Sequence, residues 1–255
     1  MCYNTRYMTK DRSVYADHYG VEEETIPLFN KMYYANGFDH FDIPVITGED
    51  PALIQSFSWG LIPGFTNPEK YPIPAVQSSG LNARDDKLMN NFKWKSVVKR
   101  KRCIVVLDAF YEYHHAPGVK LKVPYHISSS HEPTLSIAGI WDTWQDRNDA
   151  EIVRSTVCIV TTEANEKMAE IHNNPDLKKR NSGPRMPAVL DVGGRRLWLS
   201  GDDADNDLIS EVIKPYPVDG LVCHTVNTLS SKSASGSGNT IAAIEEHDWP
   251  IIGLP

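Results

Sequence analysis

Apolar residues along the chain fall mainly into short runs and alternations that read as strands, with fewer stretches at helical spacing. Val45–Glu49 and Leu53–Trp59 read as strands. In the second, Leu53, Phe57 and Trp59 share one face, with Ile54, Ser56 and Ser58 on the other. Trp59–Gly64 carries glycine and proline punctuation and predicts a turn. Cys103–Leu107 is an unbroken apolar run rich in Val and Ile, the pattern of a strand buried on both faces. Leu121–Ile127, Thr134–Trp141, Ile152–Thr161 and Leu221–Val226 predict further strands. Leu88, Met89, Phe92 and Trp94 give Asp85–Val98 a helical period. Glu163–Ile171 predicts a helix with Thr162 as its N-cap. Asn206–Ile213 reads as a short amphipathic helix, and Thr9–Asn30 as one or two more. Pro68–Gly80, with its Pro and Ser residues, reads as a loop. So do a polar excursion at about 173–184 and a flexible Ser/Gly stretch at about 229–239. Strands continue to the end with no clean linker. The expectation is a single domain over 1–255, of α+β class, built on a mostly antiparallel, barrel-like β-sheet with flanking helices.

Composition narrows the setting. With 41% hydrophobic residues in 255, the chain can bury a sizeable core. No apolar run is long enough to span a bilayer, and Asn4, Arg6 and Lys10 are not followed by the apolar segment of a secretory signal. Cys2, Cys103, Cys158 and Cys223 are scattered without metal spacing. That pattern predicts a reducing, cytoplasmic setting, no metal site and no cofactor. A formal net charge of −7 argues against a non-specific nucleic-acid coat protein. One stretch runs against it. Lys87–Leu107 has no acidic residue and carries Lys87, Lys93, Lys95, Lys99, Arg100, Lys101 and Arg102. It reads as a solvated helix face or, equally, as an anion-binding face.

Candidate chemistry begins at Cys2. Removal of Met1 would leave an α-amine and a thiol on adjacent carbons, with ordinary pKa values of about 7.7–8.0 and about 8.5. An aminothiol attacks acyl carbons, and it also condenses with aldehydes to a thiazolidine ring. Asn82 and Arg84, in Leu81-Asn82-Ala83-Arg84, supply an amide and a forked cation suited to phosphate; Asn82 reads as well as a helix N-cap. Glu112 lies among aromatics after a buried strand. There an acid can serve as donor and acceptor in turn, or simply point outward from an edge strand. His172 closes a predicted helix, where a histidine serves either proton transfer or the helix dipole.

Together these blocks resemble the SOS-response-associated peptidase family, whose members shield abasic sites in DNA. The resemblance is carried by Met1-Cys2, then Trp59-Gly60-Leu61-Ile62-Pro63, then Asn82-Ala83-Arg84. Arg102–Val106 follows, leading into Asp108-Ala109-Phe110-Tyr111-Glu112-Tyr113. Ala138–Trp141, Thr161–Asn165, Ile171-His172 and Arg185-Met186-Pro187 complete the order. It implies binding of single-stranded DNA and a covalent crosslink from Cys2 to the abasic aldehyde. Glu112 and His172 would move protons, and Asn82 would orient the sugar and the N-terminus. Arg84 and Arg185 would contact phosphate, with Trp59 and Phe110 as aromatic surroundings for a base; Phe110 reads equally as core packing. The resemblance further implies self-removal of the residues before the cysteine, hence the word peptidase. A monomer on the nucleoid is expected. An N-terminal-nucleophile amidase or cysteine peptidase using the same Cys2, Glu112 and His172 is the alternative. The chain departs from the family at Tyr3 and Asn4, which stand where Gly-Arg is usual, at Asp86 in place of Glu, and at the excursion. Loss of that arginine predicts weaker DNA affinity.

Overall fold

The computed structural model describes residues 2–116, 122–179, 182–200, 206–230, 236–250 and 255. The Ser/Gly stretch therefore falls partly outside the described residues. In chain order the elements are β1 (Asn4–Tyr7), α1 (Arg12–Tyr19), β2 (Met32–Asn36), β3 (Asp42–Thr47), β4 (Gln55–Trp59) and α2 (Ile73–Ser79). Then come β5 (Asn82–Arg84), α3 (Phe92–Val98), β6 (Arg102–Leu107), β7 (Ala109–His115), β8 (Lys122–Ser129) and β9 (Leu135–Gln145). The remainder is β10 (Val153–Glu163), α4 (Glu166–Ile171), α5 (Asp176–Lys179), β11 (Arg185–Pro187), α6 (Val192–Leu199), α7 (Asn206–Val212) and β12 (Leu221–Thr225).

Strands β4, β3, β6, β9 and β10 pair in that order, and β10 returns to β4, closing a barrel. Every seam is antiparallel except β10–β4. Ile43, Val45, Val105, Ile137, Ile140 and Ile159 are buried, which explains why these strands read as apolar runs. The second sheet runs β12-β8-β7-β1-β2. Strand β7 follows β6 almost without interruption, so the two sheets meet at Asp108. The α+β class and the barrel-like, mostly antiparallel sheet are thus observed. No helix among the described residues is long and apolar enough to cross a membrane.

The Asp108 junction is a polar joint inside the core. The buried carboxylate accepts from Thr9 N at 2.8 Å, Thr9 Oγ1 at 2.7 Å and Tyr15 Oη at 2.8 Å. It fastens β1 and α1 to the β6–β7 corner. Asp108→Ala would leave these donors buried without a partner, at about 3 kcal/mol of stability. Urea unfolding is the check; a loss under about 1 kcal/mol would show that the donors find other partners.

Several local readings are corrected. Ile73–Ser79 is helical where a loop was expected: proline is tolerated in the first turn of a helix, and here it starts one. Asp85–Val98 is not one helix. A 3-10 turn at Asp85–Lys87 precedes α3, whose N-cap is Asn91. Asn82 is a strand residue and caps nothing. Thr162 remains in β10, and α4 is capped by Asn165, which accepts from Met168 N at 2.8 Å. Leu53 precedes β4 and is exposed, so it does not share the buried face of Phe57 and Trp59. The excursion contains α5. Two of the seven cations counted as a basic face are spent within the fold. Buried Arg102 donates to the carbonyls of Val98, Trp198 and Ser200, tying α3 and α6 to the barrel, while Lys101 pairs with Asp142 at 2.7 Å.

Candidate functional site

β10 outruns its barrel neighbours, and this extension builds one wall of the site. Beyond β4 its edge pairs with β5, setting Ile159 opposite Asn82 and Thr161 opposite Arg84. Beyond β9 its other edge pairs with β11, setting Glu163 opposite Arg185. The facing wall comes from β1 and β7. Asn4 pairs with Tyr111 and Thr5 with Phe110, and Tyr3 and Glu112, the residues next along each chain, both line the groove between the walls. A clip of three hydrogen bonds joins β7 to the end of α4. Asn173 accepts from His115 N at 2.7 Å and donates to the His115 carbonyl at 3.1 Å, and the His114 ring bonds the Glu170 carbonyl at 2.9 Å. His172, the C-cap of α4, is thereby held next to Glu112.

The four residues expected to do chemistry meet here. Asn82 Nδ2 donates to the Cys2 carbonyl at 2.8 Å. Cys2 Sγ lies 3.8 Å from the Asn4 carbonyl. Glu112 Oε2 is 3.7 Å from His172 Nδ1, and Glu112 Oε1 accepts from Tyr113 N at 3.0 Å. His172 Nδ1 also lies 2.9 Å from the Arg185 carbonyl and 3.2 Å from its N–H. The tautomer decides which is bonded: a proton on Nδ1 goes to the carbonyl and leaves Nε2 as the basic nitrogen. Burial lowers the His172 pKa and the Glu112 charge opposes the shift, so the ring is neutral near pH 7. Burial pushes the Cys2 thiol up to about 12, and the Glu112 charge adds to the shift. Asn82 Oδ1 is buried with no hydrogen-bond partner among the described residues.

A groove of about 560 Å³ opens over this group, lined by Tyr3, Arg84, Glu112, Tyr113, His172 and Arg185 among others. Cys2, 1% exposed, lies beside it and not in its lining. Leu177 and Ser182 of the excursion form part of the rim. Arg84 reaches the groove from β5 but is forked onto Asp86, at 2.9 and 2.8 Å. That carboxylate is held below its usual pKa by the bond. Arg185 is buried; its guanidinium is bonded to Asp85 and Thr161, so it serves first as a strut from β11 to β10 and to the turn that follows β5.

Two expected aromatic contacts are corrected. Trp59 is fully buried, with Nε1 donating to the Leu81 carbonyl at 3.0 Å, and Phe110 is 1% exposed in the core. Neither offers a ring face to a base. Tyr3, Tyr113 and Lys122, which do line the groove, were not singled out as contacts. Tyr113 had a signal, the aromatic frame around Glu112. Asp85 had none, because its meeting with Arg185 is made only by β10.

Comparisons with known proteins show what the chain is similar to. A model of the family described as SOS response associated peptidase (SRAP) matches residues 1–233. The abasic site processing protein YoqW of Bacillus subtilis (strain 168) is 28% identical over 189 residues, covering 74% of this chain and 75% of that protein. The abasic site processing protein HMCES of Xenopus tropicalis is 27% identical over 251 residues, covering 88% of this chain and 68% of that protein. A crystal structure of a protein from Bacteroides thetaiotaomicron superposes with a TM-score of 0.80 at 26% identity, over 96% of this chain and all of that one.

Proposed function

The chain belongs to the SOS response associated peptidase family, and from that membership we propose that it processes abasic sites in single-stranded DNA. The sugar aldehyde is captured by Cys2 once Met1 has been removed, a removal the protein performs on itself. The α-amine of Cys2 attacks the open-chain aldehyde carbon, and water leaves as the imine forms. The Cys2 thiol then adds across the imine: an S–C bond forms, and the thiol proton goes to nitrogen. One water is released overall, and no oxidant or metal is consumed. Glu112 and His172, 3.7 Å apart, are the groups that deliver and accept these protons. Asn82 Nδ2 fixes the Cys2 carbonyl, and its bare Oδ1 is suited to accept from the ammonium that loss of Met1 creates. On this reading the protein works in the cytoplasm on the nucleoid, as a monomer.

The single observation that carries the reading is the 2.8 Å bond from Asn82 to the Cys2 carbonyl, a contact suited to hold the processed terminus for capture of an aldehyde. It also weighs against the amidase alternative. One N–H of the Asn82 amide is engaged by Cys2's own carbonyl, which leaves at most one for the carbonyl of an acyl substrate. The test is a denaturing gel with abasic single-stranded DNA, intact DNA, and abasic DNA whose aldehyde has been reduced to an alcohol. Only the first should give a shifted band. A band with all three, or with none, contradicts the proposal.

Arg84 supplies a phosphate contact that competes with Asp86. Asp86→Asn should therefore tighten binding of single-stranded DNA about threefold, the scale of a partly exposed ion pair. Arg84→Ala should flatten the salt dependence of binding by about 0.7 in log–log slope. Titrations at several salt concentrations check both; an Asp86→Asn variant that binds no better would show that Arg84 is not the phosphate contact.

A further inference from the structure

The Tyr3 and Phe38 rings stack with centroids 5.3 Å apart and 26° between their planes. Tyr3 follows Cys2 directly and lines the groove. Phe38 is 53% exposed, yet it does not hang from a loose loop. It sits in a 3-10 turn, Gly37–Asp39, whose N-cap Asn36 accepts from Phe38 N at 3.0 Å. Gly37 N donates to the Tyr3 carbonyl at 2.8 Å, and Asn36 pairs with Asn4 across β1–β2. Gly37 packs against the Trp59 ring so closely that a Cβ would lie 3.1 Å from it. His40 closes the turn in the left-handed region, at φ 53°, and its ring bonds the Trp59 carbonyl at 2.8 Å and Ser78 Oγ at 3.1 Å. The turn is thus anchored on a buried tryptophan while holding a phenyl ring out to water. Core packing gains little from a ring so exposed. A surface for a flat apolar ligand requires both its exposure and its rigidity.

We infer that Tyr3 and Phe38 form a stacking platform for the nucleobase next to the abasic sugar, so that this chain senses a neighbouring base as well as the lesion. The inference rests on the function proposed above. Tyr3 is one residue from the nucleophile, so a sugar bonded to Cys2 brings its nearest neighbours on the strand to this pair. A base beside an abasic position has lost its stacking partner on the lesion side, and an aromatic wall replaces it. Every base has a π-face, so the contact asks for a base without specifying which, and purines gain most by their larger area. Tyr3 also stands where the family usually has glycine. The platform offsets with stacking some of the affinity lost with the missing cation at Asn4.

The experiment compares two oligonucleotides containing a tetrahydrofuran abasic analogue, which has no aldehyde and reports binding alone. In one the analogue is flanked by purines; in the other it is flanked by further abasic analogues. Wild-type protein should bind the first about tenfold more tightly, the factor set by one stacked base at about 1.4 kcal/mol. Phe38→Ala should shrink the ratio to about twofold or less, and Phe38→Trp should keep it. A Phe38→Ala protein with the wild-type ratio overturns the inference. So does loss of the ratio in both variants, which would point to the turn and not to an aromatic face. Adduct formation by wild-type protein on authentic abasic DNA is measured alongside. If no adduct forms, the proposed function falls and the inference with it; if it forms but the ratio ignores Phe38, the inference falls alone.

Discussion

Cys2→Ser should reduce the denaturant-stable adduct with abasic single-stranded DNA to background, a loss of about 100-fold or more in yield. The reason lies in the second half of the capture. Serine keeps the α-amine and can still form an imine, but an imine hydrolyses, and what makes the product durable is the closing S–C bond. Burial raises the pKa of the Cys2 thiol while Met1 is in place, and the same burial disfavours a thiolate after its removal. Nitrogen attacks first. The thiol then adds to a carbon already tethered to its own residue, where proximity makes up for modest nucleophilicity. A serine hydroxyl, weaker still, gains too little from the same proximity. Binding of the aldehyde-free analogue should change little, since Arg84 and the groove remain. The gel that shows the adduct, run beside a binding titration, separates the two effects. An adduct of wild-type yield from Cys2→Ser would mean that another group is the nucleophile.

Glu112→Gln should slow adduct formation by about 10²–10³-fold while leaving its final yield closer to wild type. Glutamine keeps the shape and can still accept from Tyr113 N, but it cannot carry a proton between the hemiacetal, the departing water and the imine. The pH profile gives an independent signature. Burial holds His172 below the ordinary histidine pKa, and Glu112 pulls it part of the way back. A base with a lowered pKa keeps its lone pair to lower pH, so the acid limb of the wild-type rate should lie below the ordinary histidine range of about 6.5. Removing the Glu112 charge removes the opposing pull, so in Glu112→Gln that limb should move further down. A limb that moves up, or a rate unchanged by the substitution, would take Glu112 out of the proton transfers.

The barrel was largely legible in the sequence, because strands buried on both faces leave unbroken apolar runs such as Cys103–Leu107. Cys2, Asn82, Glu112 and His172 were legible as chemistry-bearing types in order, and the fold brings them together. Around the site, what escaped depends largely on β10. The three-residue strands β5 and β11 have no periodicity of their own; they exist because β10 extends past β4 and β9 and offers bare edges. The same extension makes Arg185 a buried strut against Asp85, although its residue type suggested a phosphate contact. Trp59 and Phe110 show the limit from the other side: an aromatic in a motif near a nucleophile reads as a ligand contact until burial shows both rings to be closed in. Tyr3 shows the reverse. In the sequence it reads only as a departure from the usual glycine, and the turn at Phe38 gives it a partner.

Intact-mass analysis of the protein after incubation with abasic single-stranded DNA tests the central claim most directly. The account predicts free protein lacking Met1, and an adduct whose mass is that processed chain plus the oligonucleotide minus one water. Protein that retains Met1 while still forming a stable adduct would contradict it, because a terminus with no free amine on Cys2 cannot close the ring.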